Sequence, residues 1–132
     1  MALVPDATTK ELLDLTQRLL DAIAGGDWAT YDELCDPTLT AYEPEGRGHC
    51  IEGMQFHRFY FDLAQSGDPK NTTMASPKVR LMGDVAIVIY ERLIQLLNDS
   101  GAPVTAHFEE TRVWQRQQGQ WRHVHFHRSR CE

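Results

Sequence analysis

Cysteine is scarce and scattered in this chain: Cys35, Cys50 and Cys131 are the three present, and no two of them form a CxxC pair. An odd, widely spaced set argues against a disulfide framework or a structural zinc site and for reduced thiols in a cytosol. No apolar run reaches the roughly eighteen residues of a membrane span, and the opening MALVPDATTK lacks the basic start and apolar core of a signal peptide. Cations are outnumbered as well. Lys and Arg total 13 against 19 Asp and Glu, a formal charge of −6, which disfavours nucleic acid as a partner. Phosphate-cradling glycine loops and the HRD and DFG elements of kinases are missing, so nucleotide chemistry has no support. Internal repeats, low-complexity tracts and heptads are absent too. The expectation is a cytoplasmic protein with no membrane or nucleic-acid partner, no metal site and no cofactor.

With 132 residues the chain fits one domain, large enough to bury roughly two-thirds of its unfolded surface. Leu12, Leu15, Leu19, Leu20 and Ile23 recur at helical spacing between a cap at Thr8 or Thr9 and a stop at Gly25-Gly26. Asp27 can cap a second, shorter helix that ends near Asp36, because Pro37 disfavours helical geometry in the residue before it. Residues 38–43 suit a short strand and residues 44–48 a loop. Residues 51–64 read as a third helix whose stripe of Phe56, Phe59, Tyr60 and Leu63 is expected to be core. After a polar break at residues 65–70, four strands follow at about 72–82, 85–98, 103–116 and 121–130. Gly83-Asp84, Asp99-Ser100-Gly101 and Gly119 mark the reversals. Both faces of residues 85–97 are apolar, which predicts helices on one side and a second subunit on the other. Helices followed by a long meander make an α+β fold, a strongly curved antiparallel sheet wrapped around the N-terminal helices.

Chemistry concentrates in residues 109–130, EETRVWQRQQGQWRHVHFHRSR, which read as a hairpin. Alternation places Glu110, Arg112 and Trp114 on one side of its first strand, and Val124, Phe126 and Arg128 on one side of its second. Arginine on an apolar face needs a partner, a polar pocket or a ligand. Arg92, on a strand face with Tyr90 and Val88, makes a third. Three guanidiniums converging in a concavity would suit a carboxylate. Equally, each can pair internally, since Glu43, Glu45, Glu109 and Glu110 are available, and the two readings are compatible. His123, His125 and His127 alternate on the opposite face and are within chelating reach of one another, but they lack a Cys or carboxylate at ligand spacing. Hydrogen bonding at an interface suits them better than metal. His57, on the aromatic helix, can line the same pocket as the arginines. A cone with an internal cavity could also be an isomerase or cyclase, which needs a base opposite a neutral donor. Tyr42, Tyr60 or Tyr90 with Glu43 or Glu109 supply the residue types, but their spacing selects no pair, so no catalytic residue is assigned.

The run GDWATYDELCDPTLTAYEPEGRGHCIEGMQFHRFYF, the segment LMGD, and EETRVW followed by WRHVHFHRS resemble the association, or hub, domain of calcium/calmodulin-dependent protein kinase II. The resemblance covers residues 10–130, so residues 1–9 are read as a tail and 10–132 as the domain. It implies the nuclear-transport-factor-2-like (SnoaL-like) cone and a non-catalytic role in assembly, with dimers stacked into closed rings of the dodecamer or tetradecamer type. Such hubs bring kinase subunits together so that neighbours phosphorylate one another. The resemblance further implies a deep arginine-lined pocket, matched here by Arg92, Arg112, Arg128 and His57, able to bind a small carboxylate. The chain departs from kinase hubs in the DLAQSGDP loop, which lacks their tryptophan, and at Tyr42 and Glu91. With no kinase, autoinhibitory or calmodulin-binding segment in the sequence, the expectation is either an excised hub or a free-standing relative, and a SnoaL-like enzyme or small-ligand binder is the alternative.

Overall fold

The computed structural model describes residues 6–63 and 67–131. Helix α1 (Ala7–Gly25) is capped by Asp6, whose carboxylate accepts the Thr9 N–H at 2.7 Å. The cap is therefore Asp6 and not Thr8 or Thr9: a carboxylate on extended backbone answers an orphan N–H and the positive end of the helix together. The helix stops at Gly26, left-handed at φ 68°, whose N–H bonds back to Ala22 and Ile23. Asp27 caps α2 (Trp28–Leu34), as its position before the aromatic run predicted. Strand β1 (Cys35–Tyr42) follows directly and starts earlier than expected, because Cys35 already pairs with His123.

Residues 51–64 do not form one helix. Ile51–Glu52 make the short strand β2 beside β1, Gly53 turns the chain at φ 80°, and α3 is confined to Gln55–Phe61; Ala64 lies outside the described residues. Of the expected core stripe, Phe56 does pack, half-buried, against the core, and the other three members are corrected. Phe59, Tyr60 and Leu63 are exposed at 62%, 41% and 52%, whereas His57 is buried. The helix docks through His57 and Phe61, one turn apart, against Phe126 and Tyr31 at ring distances of 5.5 and 4.8 Å. Phe59 falls on the other side of that turn, while Tyr60 sits at the edge, partly exposed but lining the same cavity as His57 and Phe61.

Strands β3 (Asn71–Met82), β4 (Val85–Leu97), β5 (Pro103–Gln117) and β6 (Gln120–Cys131) follow as a meander. The sheet order is β2-β1-β6-β5-β4-β3. It is mixed and not wholly antiparallel, since β1 runs parallel to β6. Gln118 and Gly119, both at positive φ, turn the β5–β6 hairpin in the manner that matches strand twist. On the helix-covered inner face Leu12, Leu19, Leu20, Leu34 and Leu39 meet Ala86, Val88, Trp114 and Phe126. Among the described residues no helix covers the outer face. There Met82 and Ile89 stay 48% and 41% exposed beside half-buried Ile87 and Val113.

One bulge decides what faces the core. Val113 pairs with His125 but Trp114 pairs with His123, so Val124 is an extra residue on β6. The bulge changes the strand's phase. His123 turns inward and is fully buried, stacked on Phe126 at 5.7 Å, while His125 and His127 stay outside beside Tyr42. The three histidines therefore do not share a face, and Val124 does not share one with Phe126 and Arg128.

Candidate functional site: a buried arginine cavity

Register assembles the site. Across β4, β5 and β6, Tyr90, Glu110 and Arg128 form one inward row, and Val88, Arg112 and Phe126 the next. Arg92 lies one row away on β4, diagonal to Glu110. Cross-strand and diagonal neighbours sit within reach of long side chains, so the three arginines of three strands converge around one glutamate.

At the floor, Tyr90 donates its hydroxyl to Glu110 Oε1 at 2.6 Å, and Arg112 donates Nε to the Tyr90 oxygen at 2.7 Å and Nη2 to Glu110 Oε1 at 3.0 Å. Arg92 Nη1 donates to Glu110 Oε2 at 3.3 Å. The Glu110 side chain has no exposure and that of Arg112 only 1%. Burial alone would raise the Glu110 carboxyl, but Arg112, Arg92 and the Tyr90 hydroxyl overcome it and hold it below its usual range. Arg112 is opposed by burial, yet Tyr90 and Glu110 raise its pKa, and the guanidinium also stacks 4.5 Å over Phe126. Arg92 behaves oppositely. Burial lowers its pKa, because Glu110 only partly offsets desolvation and Arg112 repels it. Its Nε is buried without a hydrogen-bond partner.

At the mouth, Arg128 donates through Nη2 to both oxygens of Glu45 and lies 3.9 Å from Glu43, with its guanidinium 4.8 Å over Phe108. Glu43 Oε1 is 3.0 Å from His57 Nε2, but off the line a hydrogen bond requires, so both buried ring nitrogens of His57 lack a hydrogen-bond partner. Between floor and mouth lies a cavity of about 230 Å³. Arg92, Arg112, Arg128 and His57 all line it, together with Glu43 and Glu45. Ile23, Tyr31, Phe61 and Phe126 supply apolar walls that sequence reasoning did not assign to the site. A wider hollow of about 490 Å³ on the outer face includes Lys78, Glu91, Glu109 and His127. It is open sheet surface, and Glu109 lies there opposite Glu91 rather than with the arginines.

Internal pairing and a pocket thus coexist. Glu110 takes Arg92 and Arg112, Glu45 and Glu43 take Arg128, and the Nε of Arg92 is left over. Tyr90 serves Glu110, and although Tyr31 and Tyr60 line the cavity with Glu43, no tyrosine among the described residues hydrogen-bonds to Glu43 or Glu109 as acid to base. The buried Cys35 thiol, 3.4 Å from His123 Nδ1, is pushed up to about 12 by burial and is inert. His123, buried and next to Arg112, is held neutral. Among the described residues no group of three or more His, Cys, Asp or Glu is placed to hold a metal ion, and no helix is long and apolar enough to cross a membrane.

Residues 8–132 match the family model of the calcium/calmodulin dependent protein kinase II association domain. The delta subunit of calcium/calmodulin-dependent protein kinase type II from Oryctolagus cuniculus is 48% identical over 126 residues, which cover 93% of this chain and 24% of that protein. The chain therefore spans about a quarter of the length of this relative. The CaMKII hub homology domain of C. reinhardtii superposes with a TM-score of 0.90 at 45% identity, covering 96% of this chain and all of that one. The association domain of C. elegans CaMKII gives 0.88 at 45% identity, covering 93% and 95%. An NTF2-like protein from Salmonella enterica, at 20% identity and a TM-score of 0.76, shares the fold alone. From these matches and the helix-covered six-stranded sheet, the chain belongs to the CaMKII association domain family.

Proposed function

We propose that this chain is a non-catalytic cytoplasmic hub that associates with copies of itself, as dimers stacked into a closed ring of the dodecamer or tetradecamer type. The observation that carries the reading is the uncovered outer face of β3–β5, where Met82 and Ile89 remain exposed beside Ile87 and Val113 although family members are association domains. A sheet with one naked apolar face gains by pairing with another. A twofold contact alone stops at a dimer, so ring closure requires a second, lateral surface. The hub would act on attached or neighbouring kinase subunits by raising their effective concentration.

The cavity, in this reading, binds a small carboxylate. Support comes from the unpartnered Arg92 Nε and His57 ring nitrogens, buried donors and acceptors that a ligand could satisfy. Arg92, His57 and Arg128 are the contacts, while Arg112, which directs Nε to Tyr90, Nη2 to Glu110 and Nη1 toward His123, lines the floor and acts mainly by its charge. An isomerase or cyclase is disfavoured because, among the described residues, neither Glu43 nor Glu109 has a tyrosine hydrogen-bonded to it, and Glu110, locked by Tyr90 and two guanidiniums, is too weak a base.

Absolute mass by light scattering over a dilution series tests the assembly. A particle of about a dozen subunits that survives dilution is expected, and Ile89→Asp should break it. Monomer at micromolar concentration would sink the reading. Calorimetry with benzoate tests the pocket: Arg92→Gln should abolish the heat that the unaltered chain gives.

A further inference from the structure

The cavity lacks the net positive charge that its arginines suggest. Arg92, Arg112 and Arg128 face Glu43, Glu45 and Glu110, three cations against three anions. An anion entering a balanced site is not attracted unless an internal carboxylate gives up its place. Glu110 cannot, because its unexposed side chain sits in mid-strand under three donors. Glu43, at 8% side-chain exposure, is hemmed in by His57 and Arg128. Glu45 differs from both. It stands on the 3-10 turn Pro44–Gly46, its side chain is 35% exposed, and among the described residues Arg128 is its only side-chain partner.

We propose that Glu45 is a resident carboxylate that occupies the anion subsite on Arg128, and that a ligand binds by exchanging with it. This rests on the carboxylate reading of the cavity and specifies its regulation. Rotation of Glu45 into solvent frees Nη2 of Arg128 at the mouth while Arg92 Nε waits at the floor. Burial favours a protonated Glu45, but the bonds and charge of Arg128 outweigh it, so the resident group is ionised and competes as an anion. Space of about 230 Å³ with walls of Ile23, Tyr31, Phe61 and Phe126 fits a short apolar or aromatic body. A second carboxylate on the ligand would meet those walls or Glu43. The ligand class is a small monocarboxylate.

Benzoate is the probe, with benzamide as its neutral isostere, titrated calorimetrically into the assembled protein. Glu45→Gln removes the competing charge at nearly constant volume and should tighten benzoate about tenfold, the scale of one charge-assisted hydrogen bond. Glu52→Gln deletes the same charge outside the cavity and should leave affinity unchanged. Benzamide should bind neither form. A gain with Glu45→Gln separates exchange from a structural role, which would only lose affinity. If Glu45→Gln fails to assemble, Glu45→Asp takes its place, since the shorter side chain falls short of Arg128 and should give the same gain. Equal or weaker binding by the folded variant would overturn the exchange while the carboxylate reading stands. No benzoate binding to any form would overturn both.

Discussion

The cavity builds the same pair twice, a guanidinium with a carboxylate, and its two ends differ in what solvent can do. At the floor, Glu110 and Arg112 are sealed at 0% and 1% side-chain exposure and tied to Tyr90 and Arg92. At the mouth, Glu45 is 35% exposed and Arg128 13%, and among the described residues Glu45 is bonded to Arg128 alone. A buried pair cannot be half removed, because the partner left behind is a bare charge in low dielectric. A pair that solvent reaches on one side can, because water entering the place of Glu45, with Glu43 at 3.9 Å, compensates Arg128. The floor is therefore framework and the mouth is exchangeable, although the residue types are identical.

The largest expected effect comes from breaking the floor. Glu110→Gln leaves two buried guanidiniums without their anion and should cost about 3–5 kcal/mol in chemical denaturation. A loss below about 1 kcal/mol would show that the floor is no more committed than the mouth. Next comes Tyr90→Phe, which deletes a hydroxyl that donates to Glu110 and accepts from Arg112 and should cost about 1–3 kcal/mol by the same measurement.

Acid should also discriminate. His123 is held neutral by burial and by Arg112, with its pKa well below the ordinary 6.5. The unfolded chain takes up a proton near that value which the native protein refuses, so stability falls as pH drops below about 6.5. Glu110, held below the usual 4.5, adds a second loss only under about pH 4.5, where the unfolded carboxyl is protonated first. Tm should therefore fall from about pH 7.5 to about pH 5.5, and His123→Phe should flatten that slope. Smallest is the mouth: Glu45→Gln should change folding stability by less than about 1 kcal/mol in the same denaturation assay.

Much of this was legible from the residues. The Glu110, Arg112, Trp114 alternation, the inward face of Tyr90 and Arg92, the Asp27 cap and the Gly119 hairpin follow from period and turn chemistry, and the structure keeps them. His123 was misplaced because alternation has no memory of a bulge: one extra residue at Val124 inverts every side chain that precedes it. The aromatics of α3 were misread because a short helix rich in aromatics all round has several candidate faces. Which one docks depends on Tyr31 and Phe126, which come from distant segments.

By itself, the amino-acid sequence determined most of the elements, the inward alternation that carries Arg92 and Arg112, and the family, since these depend on local backbone preference and on long runs of identity. Tertiary structure alone decided which carboxylate meets which arginine. Glu109 and Glu110 are adjacent and identical in type, yet one faces solvent opposite Glu91 and the other closes a buried network. Strand register and depth make that choice, because the strength of an ion pair is set by how much water surrounds it and not by the residues that form it.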